Sequence, residues 1–187
     1  MKVVVITGTP GVGKSTVVQR ALQEIETGYR VINFGDAMLE VALERGVVKD
    51  RDEMRRLDPG VQKDIQRMGA KKIAEAARSE NILVDTHATI KTPRGYLPGL
   101  PIWVLEELSP DVIVVVEADP EEIAGRRSSD ETRTRDAEDV SEIMEHQLLN
   151  KAAAMSYAVF TGATVAVVEN HDKGLEEAAK ELAMVLR

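Results

Sequence analysis

A chain of 187 residues with a formal net charge of −8 fits one domain and is long enough to bury a sizeable core. With 43% apolar and 30% charged residues it reads as folded rather than disordered, and no apolar run approaches the roughly 18 residues of a membrane span. The acidic balance and only six aromatics weigh against an extended nucleic-acid groove, while leaving room for a local positive pocket that takes a small anion.

The opening "MKVVVITGTP" has too short an apolar stretch for a signal peptide's central region and runs into a glycine loop without a small-residue cleavage site. The expectation is a cytoplasmic chain. Zero cysteines exclude disulfides, thiolate metal sites and cysteine nucleophiles together. "KVVVI" at 2–6 is the first of five short runs rich in Val and Ile, followed by "RVINF" at 30–34, "NILVD" at 81–85, "DVIVVVE" at 111–117 and "TVAVVE" at 164–169. They are mostly continuous rather than alternating, the pattern of strands buried on both faces. Helical stretches fall between them, at 14–26, 36–45, 61–78, 102–108, 121–129, 140–158 and 174–186. This alternation predicts an α/β fold, a parallel sheet with helices on both faces.

The first strand leads into "GTPGVGKST", Gly8 to Thr16. Gly8, Gly13, Lys14 and Ser15 satisfy G-x-x-x-x-G-K-[ST] between a predicted strand and a predicted helix, where the mechanism of a phosphate loop requires it. Glycines at this position let backbone N–H groups face an anion, and the helix dipole and the Lys14 ammonium add to that attraction. The whole run, with Thr9, Pro10, Gly11 and Val12 between the motif residues, is therefore the candidate ATP-binding segment, and Ser15 is placed to hold Mg²⁺. The alternative is a chance glycine turn with a Ser/Thr helix cap. Thr16 either touches the α-phosphate or bonds the preceding helical turn.

Further along, "LDPG" at 57–60 separates two helical segments, and Asp85 ends the third apolar strand. Carboxyl ends of parallel strands line the ligand crevice, so Asp85 is a candidate metal ligand; its other reading is a cap for the next turn. "HATIKTPRGYLPGLP" at 87–101 is the longest irregular stretch. "DPEE" after the fourth strand suits a helix start with Pro120 at its first turn. "RRSSDETRTRD" then sets four arginines, Arg126, Arg127, Arg133 and Arg135, within ten residues. Either Arg126–Asp130 and Arg127–Glu131 lace an exposed helix by i,i+4 pairing, or the segment folds over polyphosphate as a flap whose guanidiniums neutralise the moving group. "NKAA" at 150–153 lacks the aspartate of a guanine-reading "NKxD", which weakens a GTPase switch.

Four blocks also carry a resemblance: "VVVITGTPGVGKST", "VDTHATIKTPRGYLPGLP", "RRSSDETRTRD" and "EHQLLNKAAAMSYAVFTGATV". Across nearly its whole length the chain resembles the archaeal-type adenylate kinases, and the second block is far more specific than the phosphate loop. The resemblance implies Mg²⁺-dependent transfer from ATP to AMP giving two ADP. It implies a five-stranded nucleoside-monophosphate-kinase core in the order 2-3-1-4-5, a monophosphate-binding insertion at about 34–80, a short lid at about 126–139, and a homotrimer. Lys14, Arg127, Arg133 and Arg135 are then the expected catalytic cations.

One position departs from the wider family. Many members read Gly-Asp-Met-Leu-Arg after the second strand, with the arginine on the AMP phosphate, whereas this chain has Glu40 there. The acceptor phosphate must be held by other cations, for which Arg55, Arg56, Lys91 and Arg94 are candidates; a charged surface is their other reading. A phosphate acceptor is already anionic, so no general base is expected. His87 lies near the site, while His146 and His171 read as helix or surface residues. Other monophosphate or small-metabolite kinases remain the alternative within this chemistry, and a nucleotide-binding switch or ATPase the alternative outside it.

Overall fold

The computed structural model describes residues 1–54, 56–129 and 139–187. In chain order its elements are β1 (Val3–Gly8), α1 (Lys14–Leu22), β2 (Tyr29–Asn33), α2 (Phe34–Glu44), α3 (Arg51–Met54), α4 (Pro59–Ala76), β3 (Asn81–Asp85), β4 (Thr89–Thr92), β5 (Gly95–Pro98), α5 (Ile102–Leu108), β6 (Val112–Glu117), α6 (Pro120–Ser128), α7 (Val140–Thr161), β7 (Thr164–Glu169) and α8 (Leu175–Leu186).

Five of the strands pair in parallel in the order β2-β3-β1-β6-β7, which is the expected 2-3-1-4-5 once the two strands outside this sheet are set aside. Period-two alternation sends Val4, Ile6, Leu83, Val114 and Val116 to one face, where α1 and α8 cover them with Val17, Ala21, Leu182 and Leu186. Val3, Val5, Ile82, Val84, Ile113 and Val115 go to the other, under Ile73 of α4, Leu105 of α5 and Tyr157 of α7. Each fully buried Val or Ile contributes about 1.5–3 kcal/mol, so the three central strands anchor the molecule.

The edges behave differently from the expected two-sided burial. Arg30 and Val31 of β2, and Thr164 and Val167 of β7, are exposed because each strand has a neighbour on one side only. A second correction concerns the stretch at 87–101, which is not irregular throughout: β4 and β5 pair as an antiparallel hairpin. Its turn is closed by Thr92 Oγ1, which donates to Gly95 O at 2.8 Å and accepts from Arg94 N at 3.2 Å. Helix ends shift by less. α1 stops at Leu22, and α7 runs on to Thr161, where Gly162 ends it in the left-handed conformation.

Between β2 and β3, α2 and α4 enclose a small core of their own from Val41, Ala42, Val48 and Ile65. "LDPG" marks the start of α4, with Asp58 Oδ1 accepting from Gly60 N and Pro59 in the first turn. Because the main sheet is parallel, the carboxyl ends of its strands share one edge, and the pairs Asn33↔Asp85, Ile6↔Asp85 and Gly8↔Val116 set their order there. Among the described residues, no helix is long and apolar enough to cross a membrane.

Candidate active site

The loop from Gly8 to Gly13 leaves β1 and enters α1. Gly13 has φ 87°, a conformation open to glycine, and a Cβ there would lie 2.5 Å from Asn170 Nδ2. Gly8 is crowded as well, its missing Cβ being 2.8 Å from Val116 O. No side chain caps α1, which leaves its first N–H groups for an anion.

One of the loop's carbonyls is held from within it and two from outside. Thr9 O accepts from Val12 N at 3.1 Å. Pro10 O accepts from Arg127 Nε at 2.7 Å, and Val12 O accepts from Asn170 Nδ2 at 2.8 Å and Arg126 Nη1 at 3.2 Å. Arg126 continues to Asn170 O at 2.9 Å and to Asp172 Oδ1 at 2.7 Å, with Glu122 at 3.7 Å. Fixing these oxygens outward turns the amides toward a bound phosphate. A cavity of about 260 Å³ adjoins the loop, between Gly13 and Thr16 on one side and Arg126 and Asn170–Lys173 on the other. A larger groove, about 560 Å³, lies between α7 and the ends of β6 and β7 and includes no residue of the loop.

Lys14 turns from the start of α1 toward β3. Its ammonium pairs with the Asp85 carboxylate and donates to Thr86 O at 2.9 Å, and its side chain is only 14% exposed. Asp85 is thus spent on a cation, not on a turn amide. Ser15 is exposed on the same helix turn. A hydroxyl and a carboxylate are the hard oxygen donors that Mg²⁺ prefers, and a positive charge already rests against Asp85, so the donor set fits a divalent ion beside phosphates.

One strand beyond Asp85, α2 begins directly after β2. Asn33 Oδ1 accepts from Asp36 N at 3.1 Å to cap it, and Arg51 reaches back from α3 to pair with Asp36. Glu40, one turn further along α2, pairs with Lys72 at 2.8 Å. Of the expected acceptor cations, Arg56 lies exposed between α3 and α4, Arg94 lies exposed in the hairpin turn, and Arg55 lies outside the described residues. Lys91 is exposed, and its Nζ pairs with Glu142 Oε1 at 3.2 Å, tying the hairpin to α7.

Arg133 and Arg135 also lie outside the described residues, as do Asp130 and Glu131, the i,i+4 partners expected for Arg126 and Arg127. The histidines divide by environment. Desolvation and then the Lys14 charge push the His87 pKa down. His171, half-buried in the cavity wall, has its pKa raised by Glu169 and Glu122. His146 does sit in a helix, but turned inward, with Nε2 3.4 Å from Thr89 O.

Sequence reasoning passed over Arg51 and Asn170, and it placed Arg126 either in an i,i+4 pair or in the flap rather than against the loop's carbonyls. Asn170 immediately follows the last residue of β7, and that position at a parallel strand's carboxyl end was a usable signal. Arg51 carries no signal beyond its charge.

A family model described as an AAA domain matches residues 7–144. The adenylate kinase of Methanothermobacter thermautotrophicus is 58% identical over 186 residues, covering 100% of both chains. That of Methanocaldococcus jannaschii is 55% identical, covering 100% of this chain and 98% of the other, and that of Methanopyrus kandleri is 57% identical, covering 99% and 97%. A solved shikimate kinase from Bacteroides thetaiotaomicron matches 99% of this chain and 98% of its own with a TM-score of 0.58 at 13% identity, a likeness of fold alone. Identity at this level, end to end, over a phosphate loop whose lysine and carboxylate are already brought together, places the chain in the archaeal adenylate kinase family.

Proposed function

We propose that the chain catalyses reversible, Mg²⁺-dependent transfer of a phosphoryl group from ATP to AMP, giving two ADP, with the donor in the glycine loop and the acceptor at the start of α2. The observation that carries this reading is the placement of Lys14 and Asp85 between two strand ends. The donor loop follows β1 and the acceptor region follows β2, with β3 between them. Strands about 4.8 Å apart set these ends about 10 Å from each other, a span that two nucleotides bridge tail to tail.

The chemistry asks the protein for position and charge rather than for a base. Lys14 neutralises the outer phosphates, the loop amides fix them, and Arg127, Arg133 and Arg135 are the further cations assigned to the transferring group, in the segment at about 126–139 that the family resemblance makes the lid. Ser15 and Asp85 would hold Mg²⁺, which supplies further charge neutralisation to the transferring group. The separate small core of α2 and α4 supports a monophosphate-binding insertion at about 34–80 within a single kinase domain. We assign a cytoplasmic homotrimer. Its support is the family resemblance and a row of large apolar side chains on the outer face of α7, Met144, Leu148, Met155 and Val159, each more than half exposed.

The test is to supply ADP alone with Mg²⁺ and follow phosphorus NMR. ATP and AMP should appear in equal amounts. Release of inorganic phosphate alone would indicate an ATPase or switch; when ATP is then offered with AMP, CMP, UMP and GMP in turn, turnover only with CMP or UMP would indicate a different monophosphate kinase.

For the acceptor phosphate we add Arg51 to Arg56, Lys91, Arg94 and Arg55, because it holds a guanidinium at the capped N-terminus of α2. Arg51→Gln and Arg94→Gln are each expected to raise KM for AMP about tenfold, the loss of one charge-assisted hydrogen bond, with KM for ATP nearly unchanged. Equal rises for both substrates would remove these residues from the acceptor side.

A further inference from the structure

Asn150, midway along α7 and 1% exposed, bonds to both walls of the phosphate site. Its Oδ1 accepts from Thr89 N at 3.1 Å and Thr89 Oγ1 at 2.6 Å, while its Nδ2 donates to Thr9 Oγ1 at 3.4 Å. Thr9 is the second residue of the glycine loop. Thr89 opens β4, and four residues before it lies Asp85; Thr86 between them supplies the second acceptor of Lys14. One planar amide therefore spans the donor loop and the strand end that holds the lysine.

We infer that Asn150 is a positioning residue, which keeps the glycine loop in register with the Asp85–Thr89 segment and so sets the rate of phosphoryl transfer. The inference rests on the adenylate kinase reading above. Three observations separate this role from simple support of the fold. All three partners are buried, at 1%, 2% and 9% exposure for Asn150, Thr9 and Thr89, so the bonds are shielded from competing water. The hairpin is fastened to α7 without Asn150: Tyr157 Oη donates to Ala88 O at 2.7 Å, Lys91 pairs with Glu142, and the Tyr96 ring packs 5.2 Å from that of His146. None of those three contacts reaches the loop, and what Asn150 adds to them is the arm to Thr9. Transfer depends steeply on that arm, since a displacement of about 1 Å in a positioned group costs about 100-fold in rate.

The experiment compares Asn150→Leu, Thr9→Val, Thr9→Ser and the double variant Asn150→Leu/Thr9→Val in steady-state kinetics, with melting temperatures and calorimetric ADP binding alongside. Asn150→Leu and Thr9→Val should each lower kcat about tenfold, the effect of one net hydrogen bond, while ADP affinity changes less. The double variant should be no slower than Asn150→Leu alone, because one link is cut twice. Thr9→Ser, which keeps the hydroxyl, should recover most of the turnover that Thr9→Val loses. A lowered melting temperature with kcat intact, or effects that multiply in the double variant, overturns the inference. If Asn150→Leu does not fold, the cycle of Thr9→Val against Thr89→Val decides: these residues share Asn150, and additivity between them overturns the link. Failure of the wild type to disproportionate ADP would instead sink the kinase reading itself.

Discussion

Replacing Lys14 with alanine is expected to lower turnover at least about 100-fold while moving the melting temperature by only a few degrees. The asymmetry follows from where the ammonium sits. It is mostly enclosed, held by Asp85 and Thr86 O at the end of a central strand, so its charge acts in a medium less polarisable than water. Two unit charges about 4 Å apart interact by about 4 kcal/mol at an effective dielectric of about 20, and three quarters of that, realised only as charge moves between phosphates, amounts to more than about 100-fold in rate.

Stability responds less, because Asp85 is 23% exposed and water can solvate it once the lysine is gone; a partly exposed pair contributes about 1 kcal/mol. Lys14→Arg should not restore the rate. Its planar guanidinium can keep the carboxylate but is bulkier and differently directed than the ammonium that must reach the phosphates. The measurements are steady-state ADP disproportionation and scanning calorimetry on the same preparations. A folded Lys14→Ala enzyme with unchanged turnover would falsify the assignment and leave Lys14 as an ion-pair partner only.

Lys14 also shows where sequence was sufficient and where it was not. The glycine spacing, the strand before it and the helix after it were all local, and local patterns survive folding: Gly13 has the left-handed backbone that its place in the motif implies. The central strands were legible for the same reason, as runs too apolar to face water on either side. The hairpin at 89–98 was hidden because Pro93 and Pro98 break the usual strand signature, and its inward residues pack on α7 far along the chain. Arg126 had two readings, a partner four residues on or a place in a flap, and neither pointed to its described partners Val12 O, Asn170 O, Asp172 and Glu122. Only the fold brings a strand end at 170 against a loop at 12. The acceptor site was the least legible, since substituting Glu40 for the family's arginine removes the motif without naming what replaces it.

Asp85→Asn is expected to change two quantities in opposite directions. With Mg²⁺ present, turnover should fall about 100-fold, because the strand end loses the anionic oxygen best placed to hold the ion. Without Mg²⁺, in the presence of a chelator, ATP should bind several-fold more tightly than to the wild type. The reason lies in the resting pair: phosphates that approach Lys14 must first draw it from a carboxylate, and an amide is a far weaker competitor for an ammonium than a charged group. The substitution is close to isosteric, Thr86 O still accepts from Nζ, and the asparagine oxygen can accept as well, so the variant should fold. Calorimetric titration with and without Mg²⁺, beside steady-state rates, reads both effects. If chelated ATP binds the variant no better than the wild type while turnover still falls, Asp85 serves the metal alone and does not restrain the lysine. If turnover is retained, the carboxylate at the end of β3 is not the metal's ligand, and the divalent ion must be held from Ser15 and the phosphates without it.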